Sequence, residues 1–209
     1  MNRQKPSIAD LNDPRRFEMI ADVAHSEILR FVQQHLKRFS WVTGNYWLLN
    51  AAALGFVVLQ CMQSGLPALD ALSTMCLGMV LAYVLLLPLH EHVHAVAYRL
   101  TGAGETRVRY NLRRLTAFCE APGAVVSGGE YILVCLAPFL VLNPILAVLA
   151  FSVSKGKLAL LIAGGLLFHI GACSGDIALV NFVWMNRGRA SFTYDDAGQE
   201  RGRFFRSVA

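Results

Sequence analysis

The chain has 209 residues, of which 55% are hydrophobic and only 16% charged, with a net charge of +5. A soluble domain carries about 25% charge, so this composition argues against an ordinary water-soluble globule and points to a membrane protein. The basic residues flank apolar segments, and no basic stripe interleaved with aromatics lies elsewhere, so nucleic acid is not an expected partner.

The first 40 or so residues are polar and charged and lack a short apolar core followed by a small-residue cleavage site, so no signal peptide is expected. Residues 13–38 read as a helix on the cytoplasmic membrane surface. Asp13 would be its N-cap and Pro14 its first residue, with Phe17, Ile20, Ala24, Ile28, Phe31 and Val32 on one face and Arg15, Arg16, Arg30, Lys37 and Arg38 offered to anionic lipid. Trp41, Tyr46 and Trp47 then mark the lipid–water boundary.

Four apolar segments follow, near 44–63, 71–100, 130–152 and 158–185, each close to or above the roughly 20 residues that cross a bilayer. Of the 19 Lys and Arg residues, only Lys155 and Lys157 fall between the third and fourth segments, and the loop at 64–70 has none. The remainder lie before the first segment, after the second and after the fourth, so both termini are expected in the cytoplasm, most simply of a prokaryotic inner membrane. The five cysteines are odd in number and show no C-x-x-C, so they are read as small apolar residues rather than a disulfide framework.

Between the second and third segments, "TRVRYN" and "LTAFCEA" are short β-like runs separated by "LRR", a pattern that predicts a cytoplasmic hairpin. "SGGE" at 127–130 predicts a capping box, with Ser127 as N-cap, which gives Glu130 a structural task. The tail "SFTYDDAGQERGRFF" carries a turn signal at 195–198 and reads as a solvated terminal piece or a second small hairpin. The expected fold class is an all-α integral membrane protein of about four transmembrane helices, with an interfacial N-terminal helix and a small hairpin. Its expected parts are an N-terminal segment 1–43, a membrane domain 44–185 and a tail 186–209.

The second apolar segment contains His90-Glu91-His92-Val93-His94, an H-E-x-x-H motif. Ionisable groups in hydrocarbon are costly unless something binds them. Residues four apart share a helix face, so His90 and His94 can reach one metal ion, with Glu91 beside the open position to take a proton from metal-activated water. Zinc is the expected cofactor. His92 lies about 200° around the helix from His90, on the wrong side for that ion, and reads as a helix-contact or interfacial residue. Pro88 either kinks the helix or opens a wet cavity.

Catalytic zinc usually has three protein ligands. Asp176 is the best third candidate, being the only acidic residue of the last two segments apart from the capping Glu130, and it falls at a depth similar to that of His94. His169, about 10 Å higher on nearly the same face, is a runner-up, although a buried histidine satisfied by a neighbouring helix explains it more simply. Asn143, before Pro144, can line the cavity and bind substrate or simply pack. Val108 and Tyr110 on the hairpin are candidate substrate contacts if a peptide adds as a further strand.

With H-E-x-x-H in the second segment, "LAP" at 136–138 and "SGD" ending at Asp176, residues 75–190 resemble a prokaryotic membrane family of zincin-type peptidases long catalogued as a domain of unknown function. They are similar, more distantly, to the site-2 intramembrane metalloproteases. The resemblance implies zinc held by His90, His94 and Asp176, with Glu91 as base. It also implies a membrane protein or peptide as substrate, presented along a β-strand. One departure from the site-2 pattern is that Gly175 precedes Asp176 and Asn143-Pro144 sits on a different span. The expected function is therefore an integral-membrane zinc metallopeptidase. A metal-binding scaffold, a small transporter or an inactive protease relative is the alternative.

Overall fold

A computed structural model describes residues 5–111, 116–153 and 155–208. After a short capped turn of helix, α1 (Ile8–Leu11), the chain forms strand β1 (Phe17–Ala24), a single 3-10 turn and α2 (Ile28–Leu36). Then come α3 (Trp41–Gln63) and α4 (Ala68–Leu100), a hairpin of β2 (Arg107–Asn111) and β3 (Thr116–Glu120), and the two-residue β4 (Val126–Ser127). The rest is α5 (Gly128–Ser152), α6 (Lys157–Ala172), α7 (Ser174–Met185) and a terminal hairpin, β5 (Ser191–Asp196) and β6 (Arg201–Ser207).

The molecule is mostly helical. Among the described residues, four helical stretches are long and apolar enough to cross a membrane: α3, α4, α5, and α6 together with α7. Their ends follow from local chemistry. At α3, Ser40 accepts from the N–H groups of Val42 and Thr43, and the Thr43 hydroxyl accepts from Ser40 N–H. The expected capping box at α5 is present, with Ser127 Oγ accepting from Glu130 N and the Glu130 carboxylate accepting from Ser127 N at 2.8 Å. Lys5 Nζ reaches both Glu130 and the Thr101 carbonyl at 2.9 Å, tying the start of α5 to the end of α4.

α4 and α6 pack backbone to backbone. A Cβ on Gly164 would stand 2.5 Å from the Met75 carbonyl oxygen, and one on Gly78 would overlap the Leu161 carbonyl, so only glycine permits this approach. The helices run side by side from there to His90 and His169. The fourth stretch is interrupted for one residue at Cys173. The carbonyl of Gly171 near this interruption accepts from the Tyr46 hydroxyl at 3.0 Å, and Asp176 falls in the first turn of α7.

The all-α expectation needs correction. A four-stranded antiparallel sheet, in the order β1-β6-β5-β4, joins the two ends of the chain. Residues 13–38 are therefore not one helix: the Asp13 carbonyl accepts from Arg16 and Phe17 in a turn, and Phe17–Ala24 pairs with Arg201–Ser207. The apolar positions that suggested a helical face suit a half-buried strand equally well, and the partner lies at the far end of the sequence. The apolar side of α2 rests on protein, with the Phe31 ring 5.2 Å from that of Phe182.

Of the three aromatic residues at the start of α3, Tyr46 is buried, whereas Trp41 and Trp47 are exposed. The tail is no solvated piece. Tyr194, Phe204 and Phe205 are buried, and Phe204 packs edge-on against Tyr131 and Phe182.

The hairpin expected at 106–120 forms, with Val108 opposite Cys119 and Tyr110 opposite Ala117. Its "LRR" turn lies outside the described residues. All five cysteines are free thiols. Cys135 and Cys173 are buried, while Cys76 is exposed on the outer side of α4.

Candidate metal centre

The H-E-x-x-H motif sits in the last third of α4. The helical period stacks His90 over His94, both 7% exposed, with their rings nearly perpendicular. Their Nε2 atoms are 3.1 Å apart. The break at Cys173 brings Asp176 against this pair, its Oδ2 3.1 Å from His90 Nε2 and its Oδ1 3.3 Å from His94 Nε2. Tetrahedral zinc with ligands at about 2.0–2.1 Å spaces its ligand atoms about 3.3 Å apart, so the three groups fit one such ion.

Each histidine has its other ring nitrogen engaged elsewhere. His94 Nδ1 donates to the Val134 carbonyl of α5 at 2.9 Å. His90 Nδ1 faces His169 Nε2 at 3.3 Å. In its neutral form His94 therefore presents Nε2 as a lone pair toward Asp176, the tautomer a metal ligand needs, whereas the tautomer of His90 depends on that of His169.

Glu91 is 5% exposed. The backbone N–H of Cys119 in β3 faces its carboxylate, so β3 lies alongside the histidine pair. Burial, with the Glu91 carboxylate beside it, pushes the Cys119 thiol up to about 12.

A model of the family described as "Putative zincin peptidase" matches residues 83–190, about half of the chain and the part that holds His90, Glu91, His94 and Asp176. The chain belongs to this zincin family. No curated protein and no solved structure matches it.

Other candidate residues of this zincin-family chain are placed as follows. His92 is exposed, and its Nδ1 hydrogen-bonds the Pro88 carbonyl at 2.7 Å, away from the other two histidines. Asn143 is buried, its Oδ1 2.7 Å from His169 Nδ1. Val108 and Tyr110 lie on β2, the strand farther from Glu91, but share a sheet face with Cys119 and Ala117. The groups that sequence reading did not single out are the Val134 carbonyl and the Cys119 backbone N–H. Neither has a side-chain signature, and only the packing of α5 and the hairpin against α4 brings them here.

A second set, His90, His169 and Cys173, also has ligand-type atoms within 4.8 Å of one another. The Cys173 thiol is 4.0 Å from the same His169 Nδ1 that Asn143 engages.

Proposed function

We propose that this protein is an integral-membrane zinc metallopeptidase acting on membrane proteins or membrane-associated peptides, with both termini in the cytoplasm. The observation that carries the reading is the convergence of His90 Nε2, His94 Nε2 and the Asp176 carboxylate, with the two Nε2 atoms 3.1 Å apart, Oδ2 3.1 Å from His90 and Oδ1 3.3 Å from His94. The resemblance to site-2 proteases supports the same ligand roles.

A zinc ion bound there would supply Lewis acidity, lowering the pKa of a water and polarising a scissile carbonyl. His90 and His94 of α4 and Asp176 in the first turn of α7 would hold the ion. Glu91 takes the water proton on its carboxylate and returns it to the leaving amine. The burial of Glu91 under β3 keeps bulk water from competing for that proton.

β3 turns toward Glu91 the edge that it does not share with β2. An extended peptide added along that edge would pass over the ion, and the Cys119 N–H would then bind substrate instead of Glu91. Val108 and Tyr110 stand on the sheet face where alternate peptide side chains would lie, and Asn143 lines the interior behind the site.

The test is Glu91→Gln in purified, zinc-loaded protein. The variant should keep its zinc and lose cleavage of an extended peptide by several orders of magnitude. Wild-type cleavage by this variant would remove Glu91 as the base.

A further inference from the structure

We infer that His169, held by Asn143, is a positioning residue that fixes the tautomer and ring orientation of His90 at the metal centre; the inference rests on the zinc reading above. Three buried side chains from three helices form one file: Asn143 of α5, His169 of α6 and His90 of α4. Asn143 Oδ1 is 2.7 Å from His169 Nδ1, and His169 Nε2 is 3.3 Å from His90 Nδ1.

The protons along this file have one workable sense. A carbonyl oxygen only accepts, so His169 Nδ1 carries a proton and donates it to Asn143. His169 Nε2 is then a lone pair and accepts from His90 Nδ1–H. That leaves His90 Nε2 free of a proton and aimed at Asp176 and His94. Turning the Asn143 amide over reverses every bond and places a proton on His90 Nε2, which blocks ligation. A metal at His90 therefore selects the orientation with Oδ1 toward His169, and the file in turn selects the tautomer that binds metal.

The packing shows why this device is needed. His90 lies on the long α4, near Pro88, where one backbone hydrogen bond is missing. Its ring has no backbone carbonyl on Nδ1, unlike His94, which uses Val134. The close approach of α4 and α6 at Gly78 and Gly164 carries His169 to within reach, and at 2% exposure His169 has no water to bond instead. A second metal on His90, His169 and Cys173 would compete with this file for the same nitrogens: His169 Nδ1 is engaged by Asn143 at 2.7 Å, while Cys173 Sγ stands 4.0 Å from it.

The test uses full-length protein in detergent, measuring zinc affinity by chelator competition and the visible spectrum of the cobalt-substituted form. His169→Phe keeps the ring volume and removes the acceptor. It is expected to weaken zinc binding about 10–100-fold and to alter the cobalt bands. His169→Gln, whose amide oxygen takes the place of Nε2, is expected to recover most of the affinity and the wild-type spectrum. Asn143→Leu is expected to weaken zinc in the same direction and serves where the Phe variant does not fold. Wild-type affinity and spectrum in both His169→Phe and Asn143→Leu would overturn the inference. So would a fall from two bound zinc ions to one in His169→Phe, which would assign His169 and Cys173 to an ion of their own. Failure of the wild-type protein to bind zinc at all would instead overturn the proposed function, and this inference with it.

Discussion

Gly78 of α4 rests directly on the backbone of Leu161 in α6, with no room for a side chain between them. Farther along α4 the two histidines meet Asp176 of α7, which follows α6 after the break at Cys173. The separation of α4 from α6 is thus set by a glycine contact about three helical turns from the first histidine, and the fourth helical stretch carries it on to the acid.

Gly78→Ala should push the helices apart. The expected result is a thermal midpoint lower by several degrees, consistent with the 1–3 kcal/mol that overpacking costs, together with weaker zinc binding. Gly55→Ala on α3, where a Cβ meets nothing within 4 Å, is the matched control and should be neutral or slightly stabilising. Thermal unfolding followed by fluorescence and zinc competition read both effects.

Asp176→Ala removes one corner of the triangle and leaves two histidines. Metal content after dialysis against a weak chelator should fall to near zero. His92→Ala removes a histidine of the same motif that is exposed and bonded to Pro88, and it should retain full zinc. Equal zinc in wild type and Asp176→Ala would take Asp176 out of the ligand set.

Asp195 gives a pH dependence outside the membrane helices. Burial raises its pKa from 3.8 to about 6, a shift opposed by the Ala121 N–H bonded to its Oδ2 and reinforced by the Glu120 charge. The folded state therefore holds a proton that the unfolded state has released between those two values. This contribution to stability is present at and below about pH 4 and is lost as pH rises through about 6. Asp195→Asn should flatten the slope across that window and raise stability at pH 7 by on the order of 2 kcal/mol. Chemical unfolding at pH 4.5 and 7.5 would reveal it, and an unchanged slope would show that Asp195 is not its source.

Several features were legible because they are local. Ser127 and Glu130 are three residues apart, and a capping box needs no more than that. His90 and His94 share a face through the helical period alone. Asp176 stood out as an acid in an apolar run, where an unpaired charge is too costly to be idle. The hairpin pairs neighbours in sequence, so its two β-like runs sufficed. The N-terminal strand was not legible, because the apolar spacing of Phe17, Ile20 and Ala24 fits two conformations and the choice belongs to β6. His169 was noticed, but nothing in the chain told whether it would ligate, pack or support His90.

The sequence by itself determined four membrane-length apolar segments and a two-histidine, one-glutamate turn within one of them, since hydropathy and helical period act between near neighbours. The tertiary structure alone decided that Asp176 closes the triangle, that His169 and Asn143 stand behind His90, and that the two chain ends share a sheet. Those pairings join residues 26 positions apart in the case of Asn143 with His169, 79 in the case of His90 with His169, and 188 in the case of Glu18 with Arg206. They arise from close helix contact and strand pairing, which leave no periodic trace in either partner's own neighbourhood.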